Sequence, residues 1–547
     1  MDKSPGAVTQ LEKSKRHYNS WVVNETLEDY SLRYAPKSFR TWSEFTVANT
    51  ALGGISYLAD FAIGGSIAIS SGFANSFWAI LISAVIIFVT GIPISYYSAK
   101  YNIDMDLLTR GAGFGYIGST LTSVIYASFC FIFFALEGAI MAQALELYFG
   151  LPLWIGYFLC TVAIFPLVVF GMTLLAKMQV WTQPIWLLGM FAPWFAVLIK
   201  DPQAFSAWTN FAGTSPSGSG FNLLLCASGA GVALSLIAQI GEQVDYLRFM
   251  PDKTEQNSSK WWWAVMAAGP GWVILGAWKQ WAGGFFTAVA VKNGVEMAKA
   301  NEPIQMYVEG FKTIFSNPAI YLAIATFFVI LSQVKINVTN AYSGSLSWSN
   351  FFSRLTHAHP GRVVWLVFHL IIALVLQELG VFSVLLWVLG FYSNVAIAWV
   401  GALFADLVIN KPLGLSPSYI EFKRAHLYNF NPVGFGSMMI ASIVSVIAFF
   451  GFMGPTAQAF STFIALGLAL VLSPLIAYIT KGKYYIARED VAFHGNPLAQ
   501  DLTACVICEY EYEKQDMAHC PVYEGAICSL CCSLDATCHD ACKVEPV

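Results

Sequence analysis

The sequence YLAIATFFVILSQVKINVTNAYSGSLSW occupies residues 321–348, and Lys335 is its only charged residue. The segment exceeds the roughly 20 residues that a helix needs to cross a bilayer. A lysine at mid-bilayer costs roughly 2.5–3.5 kcal/mol on insertion scales, so such a charge usually serves a function. We predict that Asp60, in the first apolar segment, is its partner. The alternative is that Lys335 extends to the membrane interface.

The composition is typical of a membrane protein. The 547 residues are 57% hydrophobic and 11% charged, against about 25% charged in soluble domains. We therefore predict an all-α polytopic membrane protein in contact with lipid. The net charge of −4 gives no reason to expect a nucleic-acid partner. Without a nucleophile–base arrangement or a phosphate loop in the sequence, we do not expect an enzyme.

Apolar segments predict twelve transmembrane helices. They lie near residues 44–71, 77–98, 117–147, 153–172, 180–199, 221–244, 261–290, 318–348, 363–379, 382–409, 434–454 and 457–480. With the N-terminus inside, eleven Lys and Arg fall in short inner loops and four in outer loops. This bias places both termini in the cytoplasm and the chain in the cytoplasmic membrane. We divide the chain into an N-terminal segment (1–40), a twelve-helix domain (41–482), a linker (483–504) and a Cys-rich module (505–547).

Glycines interrupt two of these segments. The first contains Gly53, Gly54, Gly64 and Gly65, and the sixth contains Gly229, Gly231 and Gly241. Broken helices at corresponding places in two halves indicate an inverted-repeat transporter with its site at the breaks. Alternatively, the glycines only allow close helix packing.

Four short motifs carry a family resemblance. They are GAGFG at 111–115, QVDYLRF at 243–249, NVTNAYSG at 337–344 and AD at 405–406. In this order and spacing, residues from roughly 20 to 485 resemble the nucleobase:cation symporter-1 family of cytosine, purine, allantoin and hydantoin permeases. The resemblance implies a LeuT-type fold with a 5+5 inverted repeat. It also implies alternating access, a small heterocyclic substrate and often a co-transported sodium ion.

The resemblance implies a substrate site between helices 3, 6 and 8. Its residues would be Phe133, Glu137, Ser235, Gln239, Asn337 and Asn340. Phe133 and Glu137 share one helix face and offer a flat heterocycle a π-face and a hydrogen-bonding edge. Alternatively, Phe133 only packs and the two asparagines only join helices. Glu242 lies at the inner end of this site, where it can instead pair with a lysine or arginine of a neighbouring helix.

The resemblance also implies a cation site between helices 1 and 8, where this chain departs from the family. The sodium-ligating positions fall on Ser332, Lys335 and Ile336, and an ammonium cannot ligate sodium. Our hypothesis is that Lys335 occupies the place of sodium. It would pair with Asp60 or with backbone carbonyls between Gly53 and Tyr57. This predicts sodium-independent ligand binding.

The C-terminal segment is a separate, Cys-rich unit. Its cysteines are Cys505, Cys508, Cys520, Cys528, Cys531, Cys532, Cys538 and Cys542. Two C-x2-C pairs on the cytoplasmic side indicate a metal site, since thiols there stay reduced. Zinc takes four ligands, so eight cysteines can hold two ions, and an iron–sulfur cluster is the alternative.

Two functions remain open from the sequence. The first is a sodium-independent transporter of a purine, pyrimidine or related heterocycle. The second is a transporter-derived sensor, whose bundle binds ligand and whose metal module signals to a cytoplasmic partner. The twelve-helix plan favours the first, and the added module with the altered cation site favours the second.

Overall fold

A computed structural model describes residues 16–489 and 502–543. The expectations for residues 1–15, for most of the linker and for the last four residues lie outside this range. The main helices of the membrane domain are Glu44–Gly54, Ala59–Tyr101, Ser119–Phe149, Leu153–Val169, Gly171–Lys200, Leu223–Ala233, Gln239–Leu247, Ser258–Ala268, Trp272–Lys292, Pro318–Thr356, Arg362–Glu378, Leu385–Ala405, Ser437–Phe449 and Ser461–Thr480. Shorter helices include Ser20–Val23, Glu25–Glu28, Met105–Thr109, Ala204–Thr209, Pro303–Lys312 and Pro455–Ala459.

These helices provide a counterpart for each predicted span, which we number 1 to 12. Within the described residues, eight helices are long and apolar enough to cross a membrane. One of them, Ala59–Tyr101, contains both the second, outer half of span 1 and all of span 2. A kink at Gly72, whose φ is 76°, separates the two parts. Span 4 is a shorter apolar helix, and span 7 is divided at residues 269–271.

Spans 1 and 6 are both interrupted, as the glycines predict. Span 1 leaves the helical conformation at residues 55–58, between Gly54 and Ala59. Span 6 changes to a 3-10 turn over Leu234–Ala238 before it resumes at Gln239. The glycines also allow close packing, because a Cβ on Gly64 would lie 1.9 Å from the Gln280 carbonyl oxygen. The structure thus shows both interrupted spans and close packing at a glycine, and a substrate site at the breaks stays a prediction.

Eight of the spans form two groups, and spans 10, 11 and 12 pack with one another. Spans 1, 2, 6 and 7 pack together, and spans 3 and 8 pack along most of their length with spans 4 and 9 beside them. A continuous hydrophobic core runs through both groups. The break in span 1 lies where these groups meet, so polar backbone atoms are present deep in the bundle. The 3-10 turn of span 6 packs mainly against span 10.

The Cys-rich module supplies the described strands. Strand β1 (Leu502–Ala504) pairs with β2 (Glu511–Glu513), and β3 (Met517–Cys520) pairs with β4 (Gly525–Cys528). A short helix, Ser529–Leu534, follows β4 directly. The module packs against residues 16–43 and the loop after span 10. We call this end of the bundle the inner end.

Candidate functional site

The break in span 1 holds a buried ion pair. Lys279 of span 7 lies 2.9 Å from the Asp60 carboxylate, and both side chains are fully buried. Its Nζ also donates hydrogen bonds to the carbonyl oxygens of Ile55 (2.7 Å) and Tyr57 (3.0 Å). The ammonium lies 3.6 Å from the centre of the Tyr57 ring. One lysine thus satisfies carbonyls that the broken helix leaves without an intrahelical partner.

The predicted pairing of Lys335 with Asp60 is wrong. The Lys335 Nζ donates instead to the Gln179 carbonyl oxygen (3.1 Å) and the Thr182 hydroxyl (2.8 Å), both in span 5. The alternative, a side chain that reaches the interface, is wrong as well, because Lys335 is fully buried. Span 8 directs this side chain towards span 5. The sequence did contain the correct signal, since Lys279 is also a lone charge within its apolar segment.

Gln179 fills the space beside the predicted cation position. Its Nε2 donates to the Lys335 carbonyl oxygen at 2.6 Å. A Cβ on Gly53 would lie 2.8 Å from the Gln179 Oε1, so the two residues are in close contact. The amide therefore fills the space between spans 1, 5 and 8.

Glu137 lies at the start of the outer half of span 1. Its Oε1 accepts a hydrogen bond from the Ala59 backbone N–H at 3.2 Å, where the positive end of a helix favours an anion. Its other oxygen accepts from Gln333, whose own Oε1 accepts from the Leu58 N–H at 3.2 Å. Ser56 donates to the Ser332 carbonyl oxygen at 3.0 Å. Spans 3 and 8 thus hold the break in span 1, and the structure places Glu137, Ser332, Tyr57 and Asp60 around it.

The remaining predicted substrate residues are buried, and several contact one another. The Phe133 ring packs on Phe129 with ring centres 4.5 Å apart. Asn337 donates to the Phe134 carbonyl oxygen at 3.3 Å, and Asn340 donates to Asn337 at 3.2 Å. Asn337 therefore joins spans 8 and 3, whereas the hydrogen bond of Asn340 lies within span 8. The role of both residues in substrate binding stays a prediction.

Span 6 carries three polar residues in and after its break. Ser235 lies in the 3-10 turn, Gln239 begins the following helix, and Glu242 is one turn further on. The Gln239 Nε2 donates to the Glu242 Oε2 at 2.7 Å. All three side chains are buried.

The inner end of span 6 is tied to its surroundings by Asp245 and Arg248. Asp245 accepts a hydrogen bond from the Tyr126 hydroxyl at 2.8 Å. Arg248 donates to the Tyr342 hydroxyl at 2.6 Å and to the Asp29 carbonyl oxygen at 2.9 Å. Residue Asp29 belongs to the N-terminal segment, which therefore joins spans 6 and 8.

Four cysteines of the module form one compact cluster. The sulfurs of Cys505, Cys508, Cys528 and Cys531 all lie within 4.8 Å of one another, and all four residues are buried. Tetrahedral zinc with Zn–S bonds of about 2.3 Å places its sulfurs about 3.8 Å apart, so this donor set fits the ion. The neighbouring Cys505 thiol raises the pKa of Cys508, but sulfur hydrogen bonds with Cys528 and Cys531 lower it to about 7.

Polar groups surround this cluster, as expected for a metal site. The Cys528 N–H donates to the Cys505 sulfur at 3.3 Å, and the Cys531 N–H donates to the Cys528 sulfur at 3.4 Å. The Tyr18 hydroxyl lies 2.9 Å from the Cys531 sulfur. A residue of the N-terminal segment thus contacts a predicted metal ligand.

The other four cysteines lie in a second part of the module. Cys520, Cys532, Cys538 and Cys542 line one small cavity with Asp535. Asp535 accepts hydrogen bonds from the Cys538 N–H at 3.1 Å and from the Tyr523 hydroxyl. The sequence did not reveal this division of the eight cysteines into two groups of four.

Comparisons with solved structures show a LeuT-type fold. A structure of Mhp1, a nucleobase-cation-symport-1 family transporter in a closed conformation with bromovinylhydantoin bound, has a TM-score of 0.59 at 15% identity, covering 83% of this chain and 99% of that chain. Inward-facing Mhp1 has a TM-score of 0.53 at 14% identity, covering 86% and 96%. A substrate-bound Na+-coupled sialic acid symporter has a TM-score of 0.55 at 13% identity, covering 84% and 93%. No protein-family model and no curated protein sequence matches the chain. The chain is an all-α polytopic membrane protein of LeuT type, and the predicted fold class is confirmed.

Proposed function

We propose that the protein transports a nucleobase or related nitrogen heterocycle across the cytoplasmic membrane by alternating access. The observation that carries this proposal is the meeting of two broken helices, spans 1 and 6, with buried polar side chains on spans 3 and 7. In LeuT-type transporters such breaks form the substrate site near the middle of the membrane. Glu137, Ser235 and Gln239 would contact the polar edge of the substrate.

Phe133, Asn337 and Asn340 complete the proposed site. Phe133 would stack on the heterocycle after it separates from Phe129, since an aromatic ring provides a π-face for a planar ligand. Both amide groups of Asn337 are hydrogen bonded, so it would contact substrate only if it exchanges a partner. The buried Asn340 Oδ1 accepts no hydrogen bond from a described residue, so it can accept one from the substrate.

Transport would not require sodium, because a protein cation already occupies the break in span 1. In this proposal Lys279, rather than Lys335, takes that role. Its ammonium binds Asp60 and two carbonyl oxygens at this break. Sodium needs oxygen ligands of this kind. The cation-site residues Gly53, Tyr57, Asp60 and Ser332 remain beside the break, whereas Lys335 binds span 5.

We further propose that the Cys-rich module binds two zinc ions. Cys505, Cys508, Cys528 and Cys531 would hold the first, and Cys520, Cys532, Cys538 and Cys542 the second. Zinc would supply most of the free energy that folds this small unit. An iron–sulfur cluster at the first site is the alternative.

A sensor function is the second candidate, and the docking of the module favours it. Arg33 of the N-terminal segment forms an ion pair with Asp516, and Arg424, in the loop after span 10, lies 3.0 Å from Asp540. The Tyr116 hydroxyl, just before span 3, lies 3.4 Å from the Ser533 carbonyl oxygen. A change in the arrangement of the helices would therefore move the module. The module would in turn pass this change on to a cytoplasmic partner bound to it.

Uptake into proteoliposomes distinguishes the two functions. Purified protein should accumulate a radiolabelled heterocycle that it also binds in detergent, and heat-inactivated protein provides the background. Binding without accumulation would reject the transporter and favour the sensor. Absence of binding to nucleobases, hydantoins and allantoin would reject both.

A further inference from the structure

Glu242 differs from the other carboxylates at the centre of the bundle. Asp60 pairs with Lys279, and Glu137 binds a backbone N–H and Gln333. Glu242 is fully buried, and the Gln239 amide is its hydrogen-bond donor among the described residues. Its Oε1 accepts no hydrogen bond from any described residue.

The surroundings of Glu242 lack a compensating cation. The nearby charged groups that act on it are the carboxyls of Asp245 and Glu137. The expected helix-packing partner, a lysine or arginine, is not among the described contacts of Glu242. A buried carboxylate without a cation or a full set of donors is costly, so the ionised form of Glu242 requires a donor from elsewhere.

The position of Glu242 links it to the break in span 6. Gln239 and Glu242 are three residues apart in the helix that follows the break and lie on one face, and Ser235 lies in the 3-10 turn just before them. The Ser235 hydroxyl is also buried, and it has no hydrogen-bond partner in the described part of the chain. Two unpartnered polar atoms of span 6, the Ser235 hydroxyl and the Glu242 Oε1, thus lie in its break and in the helix that follows it.

We infer that Glu242 binds the substrate directly and selects a heterocycle that presents two adjacent N–H donors, as guanine does with its N1–H and 2-amino group. This inference rests on the proposed function. A carboxylate has two oxygens that can each accept a hydrogen bond, which matches a pair of parallel donors. Gln239 holds the carboxylate in place through one lone pair of Oε2, so Oε1 and the second lone pair of Oε2 are left for the two donors of the ligand. Ser235 can bind a neighbouring polar atom of the ring.

Two matched ligand pairs test this inference by equilibrium binding to the full-length protein. Hypoxanthine lacks the 2-amino group of guanine, and 1-methylguanine lacks its N1–H. We expect guanine to bind about tenfold or more tightly than either, the size of one or two charge-assisted hydrogen bonds. Glu242→Gln keeps the side-chain shape but presents one donor and one acceptor, so it should remove most of this preference. Glu146→Gln makes the same change at an exposed position and should retain it.

Each outcome has a distinct meaning. Equal binding of the three purines by the unaltered protein, or a guanine preference that persists in Glu242→Gln, would overturn the inference and leave the proposed function standing. If Glu242→Gln does not fold, the affinities of the three purines for the unaltered protein are the test of the inference. Failure of every heterocycle to bind would overturn the proposed function and this inference together.

Discussion

The membrane core and the Cys-rich module stabilise their buried polar groups in different ways. In the core, Lys279, Asp60, Glu137 and Gln333 satisfy one another and the broken backbone, within a large hydrophobic core. In the module, four sulfurs converge in a unit of two short hairpins and one helix. At the break in span 1 the core supplies its own counter-charge, whereas the module brings together four thiols whose spacing fits a metal ion.

Removal of the metal should have the largest effect and should separate the two regions. Chelation, or Cys505→Ser, is expected to unfold the module, because structural zinc contributes about 10–16 kcal/mol in small zinc domains. Hydrogen exchange should rise throughout residues 502–543 and remain low in spans 3 and 8. Cys160→Ser, which changes a lone cysteine of span 4, is the matched control and should leave the module protected. Unchanged exchange in the chelated module would show that it folds without metal.

Lys279→Met should destabilise the core most among single substitutions. It leaves Asp60 buried without its cation, which typically costs about 3–5 kcal/mol. The loss should appear as a lower thermal midpoint of the protein in detergent. Lys279→Met combined with Asp60→Asn should recover much of it, since the stranded charge is then absent. If the double variant is as unstable as the sum of the single variants, the ion pair is not the cause.

Arg33→Ala should weaken the contact between the Cys-rich module and the membrane core, with a smaller effect on stability than Lys279→Met. Arg33 and Asp516 form a mostly buried ion pair. Burial lowers the pKa of Arg33, but the Asp516 carboxylate raises it above the usual value, so the guanidinium stays charged. We expect a cost of about 1–3 kcal/mol, seen as faster proteolysis between the module and the bundle. An exchange of the two charges, Arg33→Asp with Asp516→Arg, should restore part of the protection. Equal cleavage rates in all variants would argue against this docking mode.

Lys335→Met should have the smallest effect, within about 1 kcal/mol. Lys335 binds a carbonyl and a hydroxyl of span 5 but no carboxylate, so its removal strands no opposite charge. Methionine fills a similar volume and avoids the cost of burying an ammonium. If Lys335→Met lowers the thermal midpoint as much as Lys279→Met does, the result would support the role in the cation site that the sequence predicted for Lys335.

The sequence predicts the spans well because length and apolar composition determine what can cross a bilayer. Glycines and a nearby Asp60 locate the break in span 1 correctly. The partner of Asp60 could not be predicted, since Lys279 and Lys335 are both lone lysines in apolar segments. Only the packing of spans 5, 7 and 8 determines which side chain reaches the break.

The module shows the same limit. The cysteine spacing predicts metal binding, but it does not say which four sulfurs meet. The pairing of β3 with β4 places Cys528 next to Cys505. This contact determines which four cysteines form the first group. The docking of Asp516 on Arg33 joins residues far apart in the chain, and no local pattern predicts it.

The most direct test of the central claim is the dissociation constant of a bound heterocycle in sodium buffer and in choline buffer of equal ionic strength. Because the Lys279 ammonium occupies the break in span 1, the two constants should agree within about twofold. A dissociation constant at least tenfold higher in choline would contradict the account, since it would show that the protein needs sodium in addition to its own lysine.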